Sequence, residues 1–397
     1  MSEFSISGVR LGVAQAGIKY EGRDDLTLIE IAEGSSTAAV FTLNAFRAAP
    51  VVVAERNNAS QDARYILINS GNANAGTGEL GMDACEASCA AIAKLTNGAP
   101  DRVLPFSTGV IGELLPAAKI ETALPEAIAD LSEANWTRAA RAIMTTDTRP
   151  KLRVKTIEVN GQCCRIVGMS KGSGMIQPNM ATMLGFIATD AAIPPVMLDG
   201  MLRAAVNLSF NRITVDGDTS TNDAVTLTAT GQSNFVLSPT ANDAAQAFQS
   251  MLTALATELA RDIVRDGEGA TKFVAIEVSS ATSVAEAETV ARTVGHSPLV
   301  KTALFASDPN WGRILAAIGR TGVKNLNIDA VSLSINGVLI AENGARAESY
   351  TEQAGVGAMT PEDLLISIDL ARGKETVTIW TTDLSYDYVK INAEYRT

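Results

Sequence analysis

Lys171-Gly172-Ser173-Gly174-Met175-Ile176-Gln177-Pro178-Asn179-Met180-Ala181-Thr182-Met183-Leu184-Gly185-Phe186 places one hydroxyl residue, Thr182, where a Gly/Pro/Asn loop meets an apolar run. Downstream, Leu184, Phe186 and Ala188 fall on one side of an extended chain and Met183, Gly185 and Ile187 on the other. That is the pattern of a strand buried on both faces. A threonine that opens such a strand directly after a tight loop is placed to become a new chain terminus. If the Ala181–Thr182 bond is cut, Thr182 carries both an Oγ nucleophile and a free α-amine, a nucleophile and its base in one residue. The residues alone leave a second reading open, a buried strand threonine bonded to a neighbouring carbonyl.

Other catalytic systems have little to draw on. The chain has a single histidine, His296, in Thr293-Val294-Gly295-His296-Ser297-Pro298 with no acidic neighbour in sequence. It reads as a loop or helix-end residue, and sites that need two histidines, among them the common catalytic zinc patterns, are excluded. No metal is expected. Asp216, Asp218 and Asp223 have the look of a magnesium site, since hard cations want clustered carboxylates. The alternative is that they cap turns and bond backbone amides. Cys85 and Cys89 stand four residues apart on a predicted helix, and Cys163 and Cys164 are adjacent on a predicted strand, pointing to opposite faces. All four are expected to be buried reduced thiols.

A chain of 397 residues exceeds one ordinary core, so two domains or lobes are expected. Hydrophobic content of 46% with 19% charged residues belongs to a soluble globular protein. A net charge of −12 without any basic run argues against nucleic acid or an anionic membrane as partner. Met1–Gly8 lacks the features of a signal or transit peptide, and no apolar run nears the ~20 residues that span a bilayer. A cytosolic location is expected.

Along the chain, Asp25–Ile31 and Ala38–Phe41, separated by Glu33-Gly34-Ser35-Ser36, predict a hairpin, and the first hundred residues alternate short β-rich runs with turns. Residues 81–97, ending at Asn97-Gly98, predict a helix. Asn160-Gly161 and Asn336-Gly337 predict two further hairpins with type I′ turns. Residues 241–265 carry Ala, Leu and Ile at helical spacing and predict a long amphipathic helix. Hairpin-rich sheets with helices on their outer faces make the fold class α+β, in layers, rather than a doubly wound parallel sheet. Neither standard glycine-rich phosphate loop is present.

The Lys171–Phe186 stretch closely resembles the ornithine acetyltransferase (glutamate N-acetyltransferase) family of the arginine pathway. The resemblance runs nearly end to end, through Asn69-Ser70-Gly71-Asn72-Ala73-Asn74-Ala75, Ser107-Thr108-Gly109-Val110-Ile111-Gly112 and Met144-Thr145-Thr146-Asp147-Thr148. It continues in Thr214–Asp223, Asp266-Gly267-Glu268-Gly269-Ala270-Thr271-Lys272, Asp308-Pro309-Asn310-Trp311-Gly312-Arg313 and Asn392-Ala393-Glu394-Tyr395-Arg396-Thr397. It implies an α/β sandwich of DmpA/ArgJ-like type, with a four-layer αββα first lobe and a smaller second α/β lobe. It also implies self-cleavage at Ala181–Thr182, giving an alpha subunit of residues 1–181 and a beta subunit of residues 182–397 that starts with the nucleophile.

The implied reaction is ping-pong. Thr182 takes the acetyl group of N2-acetyl-L-ornithine, ornithine leaves, and the amine of L-glutamate attacks the acetyl-threonine ester, with no cofactor. Thr108 and Gly109 are the implied oxyanion hole; Thr145, Lys171, Thr182, Glu268, Asn392 and Thr397 are the implied substrate contacts, with Glu268 on the ornithine ammonium. By themselves Thr108-Gly109, Lys171 and Glu268 read as an ordinary Ser-Thr-Gly turn, a surface lysine and a solvated turn carboxylate. The resemblance further implies a heterotetramer of two alpha and two beta subunits. Use of acetyl-CoA as a second donor is expected to be modest or absent. Three rivals remain: a nearer one, a self-processing aminopeptidase of related fold; one from another class, a metal-dependent phosphotransferase built on Asp216, Asp218 and Asp223; and a catalytically silent binding protein.

Overall fold

The structure, a computed structural model, describes residues 3–177, 183–238 and 242–394. The chain divides into two compact units, one formed by Met1–Asn211 with Asp218–Ile263 and the other by Arg212–Gly217 with Val264–Thr397.

The strands of the first unit are β1 (Val9–Ala14), β2 (Leu26–Ile31), β3 (Ser36–Phe41), β4 (Tyr65–Asn72), β5 (Val103–Val110), β6 (Lys151–Val159), β7 (Gln162–Lys171), β8 (Leu184–Thr189) and β9 (Ala224–Ala229). Its helices are α1 (Ala49–Ser60), α2 (Gly78–Thr96), α3 (Ala117–Ala129), α4 (Trp136–Ala142), α5 (Pro195–Leu208) and α6 (Asn242–Arg265), whose last two residues belong to the second unit. One sheet has the order β1-β2-β4-β5 and the other β3-β9-β8-β7-β6.

Alternation along the strands explains why the sheets stack. Ile29 and Ile31 of β2, Ile66 and Ile68 of β4, and Leu104 and Phe106 of β5 share one core with Val167, Met169, Leu184, Phe186 and Ala188 of the second sheet. Phe106 and Phe186 meet edge to face across that core, their ring centres 5.2 Å apart, a contact worth about 0.5–1.5 kcal/mol beyond its buried area. The intervening residues Leu26, Leu28, Tyr65, Leu67 and Val103 face the other way and pack with Cys85, Cys89 and Ile92 of α2 and Ile120, Leu124 and Ala127 of α3. On the far side of the second sheet α5 packs on β3 and β9, and Leu255 and Leu259 of α6 lie against Gly168, where a Cβ would come within 2.8 and 2.9 Å of them. These four layers, helix, sheet, sheet, helix, are the expected αββα arrangement.

The Asn-Gly hairpin at β6–β7 forms as expected, Val159 opposite Gln162 with Asn160 at φ +53° and Gly161 at φ +77°. β8 is buried along its whole length, with Leu184, Phe186 and Ala188 on the inter-sheet side. The long helix forms as Asn242–Arg265, and the Ala/Cys-rich one begins at Gly78, three residues before its expected start.

Two expectations fail. Asp25–Phe41 is not a hairpin: β2 pairs with β1 and β4, whereas β3 pairs with β9 in the other sheet. The Gly34–Ser35 turn, with Ser35 Oγ donating to the Ala32 carbonyl at 2.7 Å, is instead a corner that carries the chain between layers. Residues 49–60 form α1 rather than a β-rich run, because Pro50 sits in its first turn, where a missing amide hydrogen costs nothing. Val51 and Ala54 then point into the inter-sheet core.

The second unit has β10 (Phe273–Ala281), β11 (Ser332–Ile335), β12 (Val338–Glu342), β13 (Ala345–Arg346), β14 (Asp363–Asp369) and β15 (Glu375–Thr382) in one sheet, ordered β13-β12-β11-β14-β10-β15. Its helices are α7 (Val284–Gly295), α8 (Pro298–Phe305), α9 (Trp311–Gly319), α10 (Glu352–Met359) and α11 (Tyr386–Glu394). The β11–β12 turn is the predicted Asn-Gly hairpin, with Asn336 at φ +46° and Gly337 at φ +80°. Ala287, Val290, Ala291 and Val294 form the core stripe of α7, and Ser283 caps its start by accepting from the Glu286 amide. His296 ends the same helix, as expected of a helix-end residue. Among the described residues no helix is long and apolar enough to cross a membrane.

Candidate active site

In the first unit the geometry starts from two glycines. β4 and β5 run parallel with Gly71 opposite Gly109. Gly109 has φ +138°, and a Cβ there would lie 2.2 Å from the Gly71 carbonyl carbon and 2.4 Å from the Asn72 nitrogen. Only glycine permits this approach of backbone to backbone. Thr108 precedes it on β5, within a strand rather than in a Ser-Thr-Gly turn.

Thr145 lies between α4 and β6, and Lys171 is the last residue of β7. Lys171 Nζ donates to Thr108 Oγ1 at 3.0 Å and to Thr145 Oγ1 at 2.9 Å. Three candidate residues from separate stretches of sequence therefore meet at one ammonium group. Lys171 is only 9% exposed, so it is no surface lysine. An ammonium donates and cannot accept, so each hydroxyl spends a lone pair on it and keeps its own proton for another acceptor.

Asp147 anchors this arrangement from beneath. Its Oδ1 accepts from Lys151 Nζ at 2.6 Å and from the Gly172 amide at 2.7 Å, and its Oδ2 accepts from the Thr145 amide at 3.1 Å. Burial alone would raise this carboxyl, but the charges of Lys171 and Lys151 and the Gly172 hydrogen bond outweigh it and hold the group down at about 2. Asp147 falls in a quoted motif yet was assigned no role from sequence, and neither was Lys151; nothing in sequence marks this charged pair as buried.

Asn222 is a third missed residue. Its Nδ2 donates to the carbonyls of Ala73 at 2.6 Å and Ser107 at 2.9 Å, tying the ends of β4 and β5 to the start of β9. Next to it Asp223 is buried, and burial pushes its carboxyl well above the usual carboxylate range against the opposing effects of Ser220 hydrogen bonds and the Lys171 charge. The adjoining Ala224 amide donates to the Met183 carbonyl at 3.0 Å, and Leu184 pairs with Lys171. Met183 and Leu184, which follow the 178–182 stretch, are thus tied into the second sheet, while Ala181 and Thr182 themselves lie outside the described residues.

In the second unit, Glu268 is 8% exposed and accepts from Asn392 Nδ2 at 2.8 Å, so it is no solvated turn carboxylate. The segment after β15 clasps the loop that carries it. Asp383 accepts from the amides of Thr271 and Lys272 at 2.8 and 3.0 Å, and Ser385 Oγ donates to the Gly269 carbonyl at 2.6 Å. Thr397 lies outside the described residues. Among the described residues no group of three or more His, Cys, Asp or Glu side chains is arranged to hold a metal ion. Cys85, Cys89 and Cys164 are buried, whereas Cys163 is exposed, against the expectation of four buried thiols, because adjacent strand residues face opposite ways.

The ArgJ family model matches residues 10–397. The chain belongs to the ArgJ family. The arginine biosynthesis bifunctional protein ArgJ of Methylococcus capsulatus is 57% identical over 392 residues, covering 99% of this chain and 96% of its own. Its namesake in Pseudomonas syringae pv. tomato is 52% identical over 396 residues, covering 99% and 97%. A crystal structure of the arginine biosynthesis bifunctional protein argJ of Bacillus halodurans is 40% identical, covers 51% of this chain and 95% of that one, and superposes with a TM-score of 0.49. Every ArgJ-like motif quoted above lies within the matched residues, so the Lys171 cluster and the Glu268 loop are parts of an ArgJ-family protein.

Proposed function

We propose that this ArgJ-family chain is a glutamate N-acetyltransferase of arginine biosynthesis, cytoplasmic, which carries the acetyl group of N2-acetyl-L-ornithine to L-glutamate on Thr182. The reading is carried by one observation, the meeting of Thr108 and Thr145 at Lys171 Nζ on the strand end that faces Leu184.

Maturation comes first. Thr182 Oγ attacks the Ala181 carbonyl, the acyl group shifts from nitrogen to oxygen, and water hydrolyses the ester. The products are residues 1–181 and residues 182–397, which stay together as a heterotetramer of two alpha and two beta subunits. In turnover the freed α-amine takes the Oγ proton as Oγ attacks the acetyl carbonyl of acetylornithine. Negative charge builds on the carbonyl oxygen, and the Thr108 hydroxyl and Gly109 amide are the donors assigned to it, typically the largest catalytic contribution. Collapse breaks the C–N bond, and the amine returns the proton to the departing ornithine. Glutamate then reverses the steps with its own amine. One amide is exchanged for another, so no thioester and no cofactor is required. Lys171 supports the Thr108 donor, Thr145 and Thr397 line the substrate, and Glu268 with Asn392 takes the ornithine ammonium. Ornithine should compete at that position, and loss of the competition in Glu268→Gln checks the assignment.

Intact mass of the wild-type chain beside Thr182→Ala is the first test. Two wild-type fragments split at Ala181–Thr182, an uncut variant, and glutamate-dependent consumption of acetylornithine support the reading; an uncut, inactive wild type sinks it. Acetate release without glutamate would favour an aminopeptidase-like hydrolase. Loss of activity in excess chelator would favour the phosphotransferase. The relatives' name, bifunctional, favours a second acyl donor over the sequence expectation, and acetylglutamate formation from acetyl-CoA and glutamate alone measures it.

A further inference from the structure

We infer that Lys151 is a positioning residue, which holds Lys171 at the Thr108 and Thr145 hydroxyls by occupying the near side of the Asp147 carboxylate. The inference rests on the acyl-transfer reading above.

The Asp147 side chain is fully buried between two ammonium groups at unequal distances: Lys151 Nζ is 2.6 Å from Oδ1, and Lys171 Nζ is 4.0 Å from Oδ2. The carboxylate itself is fixed, because the Gly172 and Thr145 amides donate to it from the backbone on either side. Those two amides belong to the residue after Lys171 and to the residue whose hydroxyl Lys171 contacts, so Asp147 is rigidly referenced to the site. Attraction between charges falls with distance and grows as water is excluded. With Lys151 in contact, the carboxylate is satisfied at 2.6 Å, and Lys171 remains with hydroxyls at 3.0 and 2.9 Å. Without Lys151, the buried ion pair left to Asp147 is the one with Lys171, 4.0 Å away. The Lys171 ammonium is then drawn from 4.0 Å to contact distance, away from Thr108. A shift of about 1 Å at a group that supports the oxyanion donor is enough for a loss of roughly 100-fold.

Lys151→Met keeps the length of the side chain and removes its charge. Steady-state kinetics with acetylornithine and glutamate should show kcat at least tenfold lower, with KM for acetylornithine within twofold and a melting temperature within a few degrees of wild type. That split is the signature of an interaction made in the transition state. A kcat within twofold of wild type overturns the inference. So does a rise in KM with kcat kept, or a fall in kcat matched by a fall in melting temperature, which means that Lys151 only packs. If K151M does not fold, Lys151→Gln, which removes the charge but keeps a donor for Asp147, takes its place with the same readouts: a tenfold or larger fall in kcat with KM and melting temperature kept supports the inference, and a kcat within twofold of wild type overturns it. A wild type without acetyl transfer defeats the underlying reading alone. The comparison then passes to the extent of cleavage at Ala181–Thr182, where K151M slower than wild type supports the positioning role and equal cleavage refutes it.

Discussion

Gly109→Ala probes both the fold and the chemistry of the candidate site. The added Cβ meets backbone atoms at 2.2 and 2.4 Å, which cannot swing aside as a side-chain tip does. Holding a non-glycine residue at φ +138° costs about 1–3 kcal/mol. Forcing a methyl group into a packed contact costs about 1–3 kcal/mol more. Together the penalty is about 2–6 kcal/mol, a melting shift on the order of 5–20 °C for a unit of this size. Gly112→Ala is the control, since Gly112 also has positive φ, +86°, but nothing stands within 4 Å of its missing Cβ. Relief of the clash separates β5 from β4 and turns the Gly109 amide away, so kcat per folded molecule should fall about 10²–10³-fold, the usual loss of one oxyanion donor. Thermal melts by circular dichroism and acetyl-transfer kinetics measure the two effects. G109A melting within about 2 °C of G112A would show that the backbone approach carries no energy. A destabilised G109A with unchanged kcat would remove Gly109 from the oxyanion role.

His296 is the chain's one histidine, and burial, followed by the charges of Arg292, Lys301 and Arg320, pushes it down to about 4. The folded state therefore prefers the neutral ring, so this contribution is full above pH 6.5 and is lost as the pH falls to about 4. Its size is roughly 2 kcal/mol after allowing for partial exposure, and His296→Asn should flatten that window; superimposable denaturation curves for both proteins between pH 4 and 7 would contradict it. Cys163 is exposed, whereas Cys85 and Cys89 share a buried hydrogen bond and burial pushes Cys164 up to about 12. One thiol per native chain should react quickly with a disulfide reagent, Cys163→Ser should abolish that phase, and two fast thiols would disprove the burial of the others.

Local signals were legible in the sequence and distant pairings were not. Asn160-Gly161 and Asn336-Gly337 place turns because both positions need positive φ, a demand that the residues themselves meet. The β8 pattern was readable because both faces of that strand are covered. Gly34-Ser35 signals a reversal but not its destination, since β2 and β3 find their partners in strands β4 and β9, far along the chain. Val51-Val52-Val53 has strand composition, and tertiary packing overrides it in α1. At the candidate site, Thr108, Thr145 and Lys171 were named through the resemblance to a family, and their convergence lies beyond the reach of spacing. Asp147, Lys151 and Asn222 went unassigned because their importance comes from burial and from partners that only the folded chain supplies.

The strand order β3-β9-β8-β7-β6 makes timing unavoidable for a chain that is to be cut before β8. β9 and β8 would belong to one product, while β3, β7 and β6 on either side of them would belong to the other. Made separately, the first product would have to hold β3 and β7 apart across the width of two missing strands, about 14 Å, with unpaired edges facing each other. Such a piece would aggregate rather than wait. A chain cut there would therefore have to fold whole and be nicked afterwards, and from that moment melting would also be dissociation. Thermal stability would then depend on protein concentration, and refolding would need two polypeptides to find each other.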